Sequence, residues 1–139
     1  MKPEELSKLS IGDWVIVLNY HWDGRPCTGQ VDGITKKHGT YYLQFGSALS
    51  AEIDRCEPIP ITPEILEKNG WEQYGKDAYC FSILIQMAGD GFEQQNITIH
   101  RMKVLELRTS TCTLLMPIKF VHELQMAFKL CKVNKEIFL

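Results

Sequence analysis

The chain reads as an α+β protein: a small β-barrel or strongly bent sheet, then a short helix, then an antiparallel sheet covered by a C-terminal helix. Three observations predict this. Short β-branched and aromatic runs separated by glycines occupy residues 11–53. Longer runs of strand character follow over 78–108, broken by a strong Ala-Gly-Asp-Gly turn. Near the end, Val121, Leu124, Phe128 and Cys131 recur at intervals of three, four and three, one apolar helical stripe with Lys119, Glu123, Gln125 and Lys129 off it.

The elements follow in order. Ile11-Gly12-Asp13 is a turn, and Trp14 to Leu18 is a strand rich in β-branched residues. The loop from Asn19 to Pro26 carries an Asp-Gly turn signal and a proline that ends pairing. Cys27 to Thr35 is a second strand, with Gly29 and Gly33 as bulge or bend positions. Lys36-Lys37-His38-Gly39 is a polar turn, Thr40 to Phe45 an aromatic strand, and Ser47 to Ile53 another short strand. Glu57 to Ile61 is extended, because each proline biases the residue before it away from helix. Strands this short and closely spaced predict a barrel or a sharply bent sheet.

Pro58-Ile59-Pro60 is the best candidate boundary, dividing 1–60 from 61–139, two parts expected to pack together as one body. A helix of about two turns then has clear punctuation: Thr62 at the N-cap, Pro63 at the first helical position, Glu64 in the first turn. Gly70 suits a left-handed C-terminal cap, with Trp71 folding back toward Leu66 as in a Schellman motif. Ala78 to Met87, Phe92 to Arg101 and Lys103 to Arg108 are strands, and in the last Val104, Glu106 and Arg108 share a face. Thr109 to Thr113 connects onward, and Pro117 is expected to start the final helix.

Bulk properties exclude several classes. At 139 residues, 45% hydrophobic and 23% charged, the chain has ordinary globular usage and enough length for a core without cross-links. A net charge of −2 supplies no field that would drive it onto nucleic acid or anionic lipid, so nucleic-acid binding would need a local basic patch. The longest apolar runs, such as Ile83-Leu84-Ile85, fall far short of the ~20 residues of a spanning helix, and the opening Met1-Lys2-Pro3-Glu4-Glu5 is not a signal peptide. Five scattered cysteines with no CxxC spacing read as reduced thiols, which predicts a cytoplasmic location.

Two resemblances arise from particular segments. Ile11–Val17 (IGDWVIV) followed by Gly29–Ile34 (GQVDGI) resembles an SH3-like small barrel of the KOW or Tudor kind, which opens with Gly-Asp-x-Val-x-Val and then a Gly-x-Val strand. Leu9–Val15 (LSIGDWV), Glu57–Trp71 (EPIPITPEILEKNGW) and Ile118–Gln125 (IKFVHELQ) resemble, in order, motifs of a set of uncharacterised proteins from gut Bacteroidetes and their phages or mobile elements. That set has an Ile-Gly-(Asn or Asp) opening, an EPIPLT…L…GF middle and a VHQLQ ending. Glu123 replaces its usual glutamine. The resemblance implies a phage-derived or accessory role and brings no catalytic residues.

Candidate chemistry is sparse. His21, Cys27 and His38 could meet in space but lack zinc spacing and a fourth ligand; solvated histidines and a packed cysteine account for them. His100 with Cys112, and His122 with Cys131, are the pairs a thiol nucleophile would need, without any local signature. Cys131, on the apolar stripe, is expected in the core. Asp13, Asp23, Asp32, Glu52 and Asp54 lie near turns, where solvation explains them, and no phosphate loop or cofactor motif is present.

The most distinctive feature is aromatic. Trp14, Tyr20, Trp22, Tyr41, Tyr42 and Phe45 crowd the first part beside Arg25, Lys36 and Lys37. Such platforms stack bases or grip peptides, although alternation sends about half of them inward. Trp22 lies in a loop with His21 and Arg25, where a purely structural role is harder to argue. The expectation is therefore a non-enzymatic interaction module with Tyr20, Trp22, Arg25, Tyr41 and Tyr42 as contact residues, no metal and no cofactor. Its partner is a protein or peptide, with nucleic acid as the alternative and no membrane. A small enzyme with a site between the two halves is the competing class. Self-association stays open, since the Ile137-Phe138-Leu139 tail must pack on something.

Overall fold

The computed structural model of the protein describes residues 1–18, 24–46, 49–86, 89, 91–108, 113–131, 133 and 135–139. Its helices and antiparallel sheets make it an α+β protein. The chain divides into two compact units, Met1–Pro60 with Phe120–Met126 and Ile61–Lys119 with Ala127–Leu139. The final helix thus contributes its first turns to the first unit and the rest to the second.

In the first unit a 3-10 helix over Pro3–Lys8 precedes two three-stranded antiparallel sheets. One has β1 (Trp14–Val17) between β2 (Cys27–Gln30) and β6 (Cys56–Pro58); the other has β4 (Thr40–Phe45) between β3 (Gly33–Lys37) and β5 (Leu49–Glu52). Strand alternation turns Val15 and Val17 inward, where they join Leu9, Val31, Leu43 and Cys56 in one core.

The expected single strand from Cys27 to Thr35 is divided at Val31-Asp32. Val31 N–H donates to Asp13 O at 2.8 Å, on the first sheet, whereas Asp32 N–H donates to Gln44 O at 2.7 Å, on the second. The buried Val31 side chain is the pivot at which the chain changes sheets. Among the described residues the strands accordingly form two ladders rather than one closed barrel. Gly29 and Gly33 are not bulges but points of close approach. A Cβ at Gly29 would stand 2.7 Å from the Phe45 ring, and one at Gly33 would meet the Gln44 amide. The strand expected over Ser47 to Ile53 ends at Glu52, and Ile53–Arg55 is a 3-10 turn. His38 and Gly39 both have positive φ, 49° and 84°, as a two-residue hairpin turn requires.

Helix α2 (Val121–Leu130) ties this unit together. Gln125 Oε1 accepts from Trp14 N–H at 3.0 Å, and its Nε2 donates to Gly12 O at 3.0 Å. Val121 N–H donates to Ile59 O at 2.8 Å, and Pro60 bridges Phe120. Pro117 does not start this helix. It ends an unforeseen strand, β11 (Thr113–Pro117), at the edge of a sheet, where a missing N–H is tolerated. Glu123 instead caps the helix, its carboxylate accepting from Phe120 N–H at 3.0 Å. His122 is buried, stacked on Phe120, and among the described residues its Nδ1 has no hydrogen-bond partner.

In the second unit, α1 (Pro63–Lys68) has the expected ends. Thr62 Oγ1 accepts from Ile65 N–H at 3.3 Å. Gly70 takes φ 84°, with Gly70 N–H donating to Glu67 O and Trp71 N–H to Leu66 O, the two bonds of a Schellman cap. The sheet runs β11-β10-β9-β8-β7, all antiparallel, with β7 (Glu72–Gln73), β8 (Tyr79–Gln86), β9 (Phe92–His100) and β10 (Val104–Arg108). Register places Tyr79, Ile97, Ile99, Leu105 and Leu107 on the buried face. Trp71 stacks on Phe128 with centroids 6.4 Å apart and leans on Phe81 at 5.6 Å. Cys131 lies just past the helix and is half-buried, so the stripe's core membership ends at Phe128.

The apolar tail packs within this unit. Asn69 accepts from Phe138 N–H at 2.7 Å and donates to Phe138 O at 2.6 Å, pairing the tail as a strand neighbour would, and Ile137 is buried. Among the described residues, no helix is long and apolar enough to cross a membrane.

Two measurements test this framework. Gln125→Ala removes the hydrogen bonds that Gln125 makes to the Trp14 amide and the Gly12 carbonyl, the latter keeping Gln30 Nε2, and urea unfolding is expected to lose about 1–3 kcal/mol, with Gln125→Glu recovering part of it. Burial pushes the His122 imidazole below its ordinary value of 6.5, against Glu123, Asp13 and Glu5, which raise it, and with Lys8, which lowers it. Folded His122 then refuses a proton that the unfolded chain accepts, so its contribution is present above 6.5 and is lost as pH falls toward the folded value. Stability is expected to decline on acidification from about pH 7 to 5.5, and His122→Gln to flatten that slope.

Candidate functional site

Two surfaces carry chemistry. The first includes part of the aromatic set. Tyr20 and Trp22 lie outside the described residues, as do His21 and Cys112. Arg25 is exposed ahead of β2. Tyr41 and Tyr42 are adjacent on β4 and so point to opposite faces. Tyr41 lies under the Lys36 ammonium, 4.8 Å from its ring centroid, near the hairpin tip that presents His38. Tyr42 hydroxyl meets Glu52 Oε1 at 3.4 Å. It lines a depression of about 310 Å³ with Leu18, Ser50, Glu52 and Arg55. Tyr20 and Trp22 follow Leu18 in the sequence.

The second surface is the open face of the five-stranded sheet, which holds a larger depression of about 550 Å³. Its origin is alternation. Along β9, Ile97 and Ile99 turn inward while Gln94, Asn96, Thr98 and His100 turn outward. Register sets Cys80 beside Thr98 and Thr98 beside Glu106, and places Ser82 opposite Asn96. Ser82 Oγ donates to Asn96 Oδ1 at 2.8 Å.

Glu106 is the centre of this face. His100 Nε2 is 2.8 Å from its Oε2, and Arg108 Nε donates to its Oε1. The hydrogen bond from His100 holds the Glu106 carboxyl below the usual carboxylate range, with Arg108 acting in the same direction and desolvation opposing both. Side-chain exposure is 20% for Glu106 and 76% for Arg108, so the pair is an open one and its strength is screened by water. Tyr74, 72% exposed, stands at the rim.

The sequence already placed Glu106 and Arg108 on one face. It could not place His100 beside them, because that needs the β9–β10 register. The available signal was the polar–apolar alternation from Gln94 to His100.

The His100 ring nitrogen that could serve a nucleophile is engaged with Glu106, and no hydrogen bond among the described residues joins it to Cys80. No group of three His, Cys, Asp or Glu that could hold a metal occurs among the described residues. Cys27 is half-buried against the first core, and burial raises its thiol pKa. Cys56 is fully buried, its pKa pushed up to about 11, chiefly by loss of hydration and against the lowering effect of the terminal ammonium.

Alkylation of the native protein with iodoacetamide near neutral pH is expected to spare Cys56 while modifying the half-buried Cys80. Peptide mapping reads the result. Labelling of Cys56 at a rate comparable to Cys80 in folded protein would contradict both its burial and its raised pKa.

No family model, no curated protein and no solved structure matches this chain.

Proposed function

We propose that this chain is a non-enzymatic interaction module that grips a protein or peptide segment through its first unit, an SH3-like small barrel. The carrying observation is the depression formed by Tyr42, Glu52 and Arg55 beside Leu18. It offers an aromatic ring flanked by one carboxylate and one guanidinium, a combination that suits an extended peptide with apolar and charged side chains. In the sequence, Tyr20, Trp22 and Arg25 follow Leu18 within a few residues.

Strand order supports the SH3-like reading. The five-part meander divides its second strand at Val31-Asp32, sends β2 and β3 to different sheets, and inserts a 3-10 turn between β5 and β6. Nucleic acid is the alternative ligand, and Lys36 stacked over Tyr41, with Lys37 next to it, is what favours it. A cytoplasmic setting fits the five scattered cysteines, and a phage-derived or accessory role fits the motifs at Leu9–Val15, Glu57–Trp71 and Ile118–Gln125.

The test is affinity capture with nuclease-treated and untreated extracts, comparing wild type with Trp22→Ala, Tyr42→Ala and Arg55→Ala. A partner that survives nuclease and weakens roughly tenfold or more in Trp22→Ala and Tyr42→Ala supports the reading. A partner lost on nuclease treatment moves the assignment to nucleic acid. Recovery unchanged by all three substitutions rejects this surface.

A further inference from the structure

We infer that the open face of the five-stranded sheet is a second binding site, for a neutral oligosaccharide, with Tyr74 as stacking platform and Asn96, Thr98 and Glu106 as its hydrogen-bonding floor. The site lies wholly in the second unit and does not depend on the peptide-binding role of the first.

Charge selects the ligand class. The depression is lined by one carboxylate and one guanidinium, which cancel, and by a single imidazole. His100 and Arg108 both bond Glu106, so the guanidinium charge is compensated by the carboxylate beside it. A phosphodiester chain needs uncompensated cations tracking its backbone. None of the described side chains lining this depression is aliphatic, and its one aromatic ring, Tyr74, is exposed. What remains suits a ligand made of hydroxyl groups.

The polar groups have the right types and spacing for that ligand. Neighbouring strands lie about 4.8 Å apart and alternate side chains on one strand about 6.8 Å apart, a grid on the scale of one sugar ring. Asn96 offers both donor and acceptor, Thr98 a hydroxyl, and Glu106 an acceptor held in place from two sides. The bonds from His100 and Arg108 keep this carboxylate ionised and oriented before any ligand arrives. Tyr74, 72% exposed, offers a flat ring against which the apolar face of a pyranose can lie.

The test is a heteronuclear NMR titration of the full chain with cellohexaose, maltohexaose, xylohexaose and mannohexaose, and separately with single-stranded oligouridylate. At least one neutral hexasaccharide is expected to shift the backbone amides of Asn96, Thr98 and His100 saturably and independently of added salt. Tyr74→Ala and Asn96→Ala are each expected to weaken that binding roughly tenfold, about 1.4 kcal/mol. Both positions are exposed, so a dispersed spectrum of each variant establishes that it folds. The proposal is overturned if none of the four sugars shifts this face, or if both variants bind as wild type does. Shifts produced only by oligouridylate and fading with salt overturn it in favour of nucleic acid.

Discussion

The side-chain amide of Gln125 behaves as a peptide group of a missing strand, accepting from the Trp14 N–H and donating to the Gly12 carbonyl. These are the groups at the turn where the first sheet begins, which the second strand holds from its other side: Gly12 N–H donates to Val31 O, and Gln30 Nε2 donates to Gly12 O. One helix side chain thus anchors the start of β1 together with β2. From that point β1 sets the register of β2 and β6, and Asp13 O receives Val31 N–H at the pivot between the sheets. Val121 and Phe120 add backbone contacts to Ile59 and Pro60. Three stretches distant in sequence, at Gly12–Trp14, Ile59–Pro60 and Phe120–Gln125, meet at these contacts.

The second unit solves a different problem, how to bury one face of a five-stranded sheet and leave the other in water. Trp71, Phe128, Ile118 and Ile137 lie on the buried side of the account, and the tail is held by Asn69 through both amide groups. The opposite face then collects the polar residues that alternation leaves over. An antiparallel sheet with one wet face is ordinary. What distinguishes this one is that its two cationic-capable groups converge on one carboxylate, which removes net charge from a concave surface and leaves hydrogen-bonding capacity.

The two surfaces also separate the roles of the thiols and histidines. Cys56 and His122 are buried in their neutral forms, where loss of hydration raises one pKa and lowers the other. Both belong to the framework. His100, on the wet face, is instead tied to a carboxylate. Residue type alone predicts none of this; the same imidazole is core in one place and surface in the other.

Much of the architecture was legible because it is local. Thr62, Pro63 and Gly70 define α1 through contacts within a few residues of each other, and the Schellman bonds at Gly70 and Trp71 need nothing from the rest of the chain. The strands of the first unit and the buried stripe Val121, Leu124 and Phe128 follow from periodicity in the same way. Three features depended on contacts distant in sequence. Division of the second strand at Val31 arises because successive amides find partners on different sheets. Thr113–Pro117 becomes a strand because β10 offers a free edge, which overrides the helix-starting preference of Pro117. His100 reaches Glu106 only through the β9–β10 register. The sequence by itself determined the α+β class, the caps and the apolar faces, because these rest on short-range sterics and hydrogen bonds. Tertiary structure alone decided which polar residues share a face, because cross-strand register is settled by burial over the whole sheet.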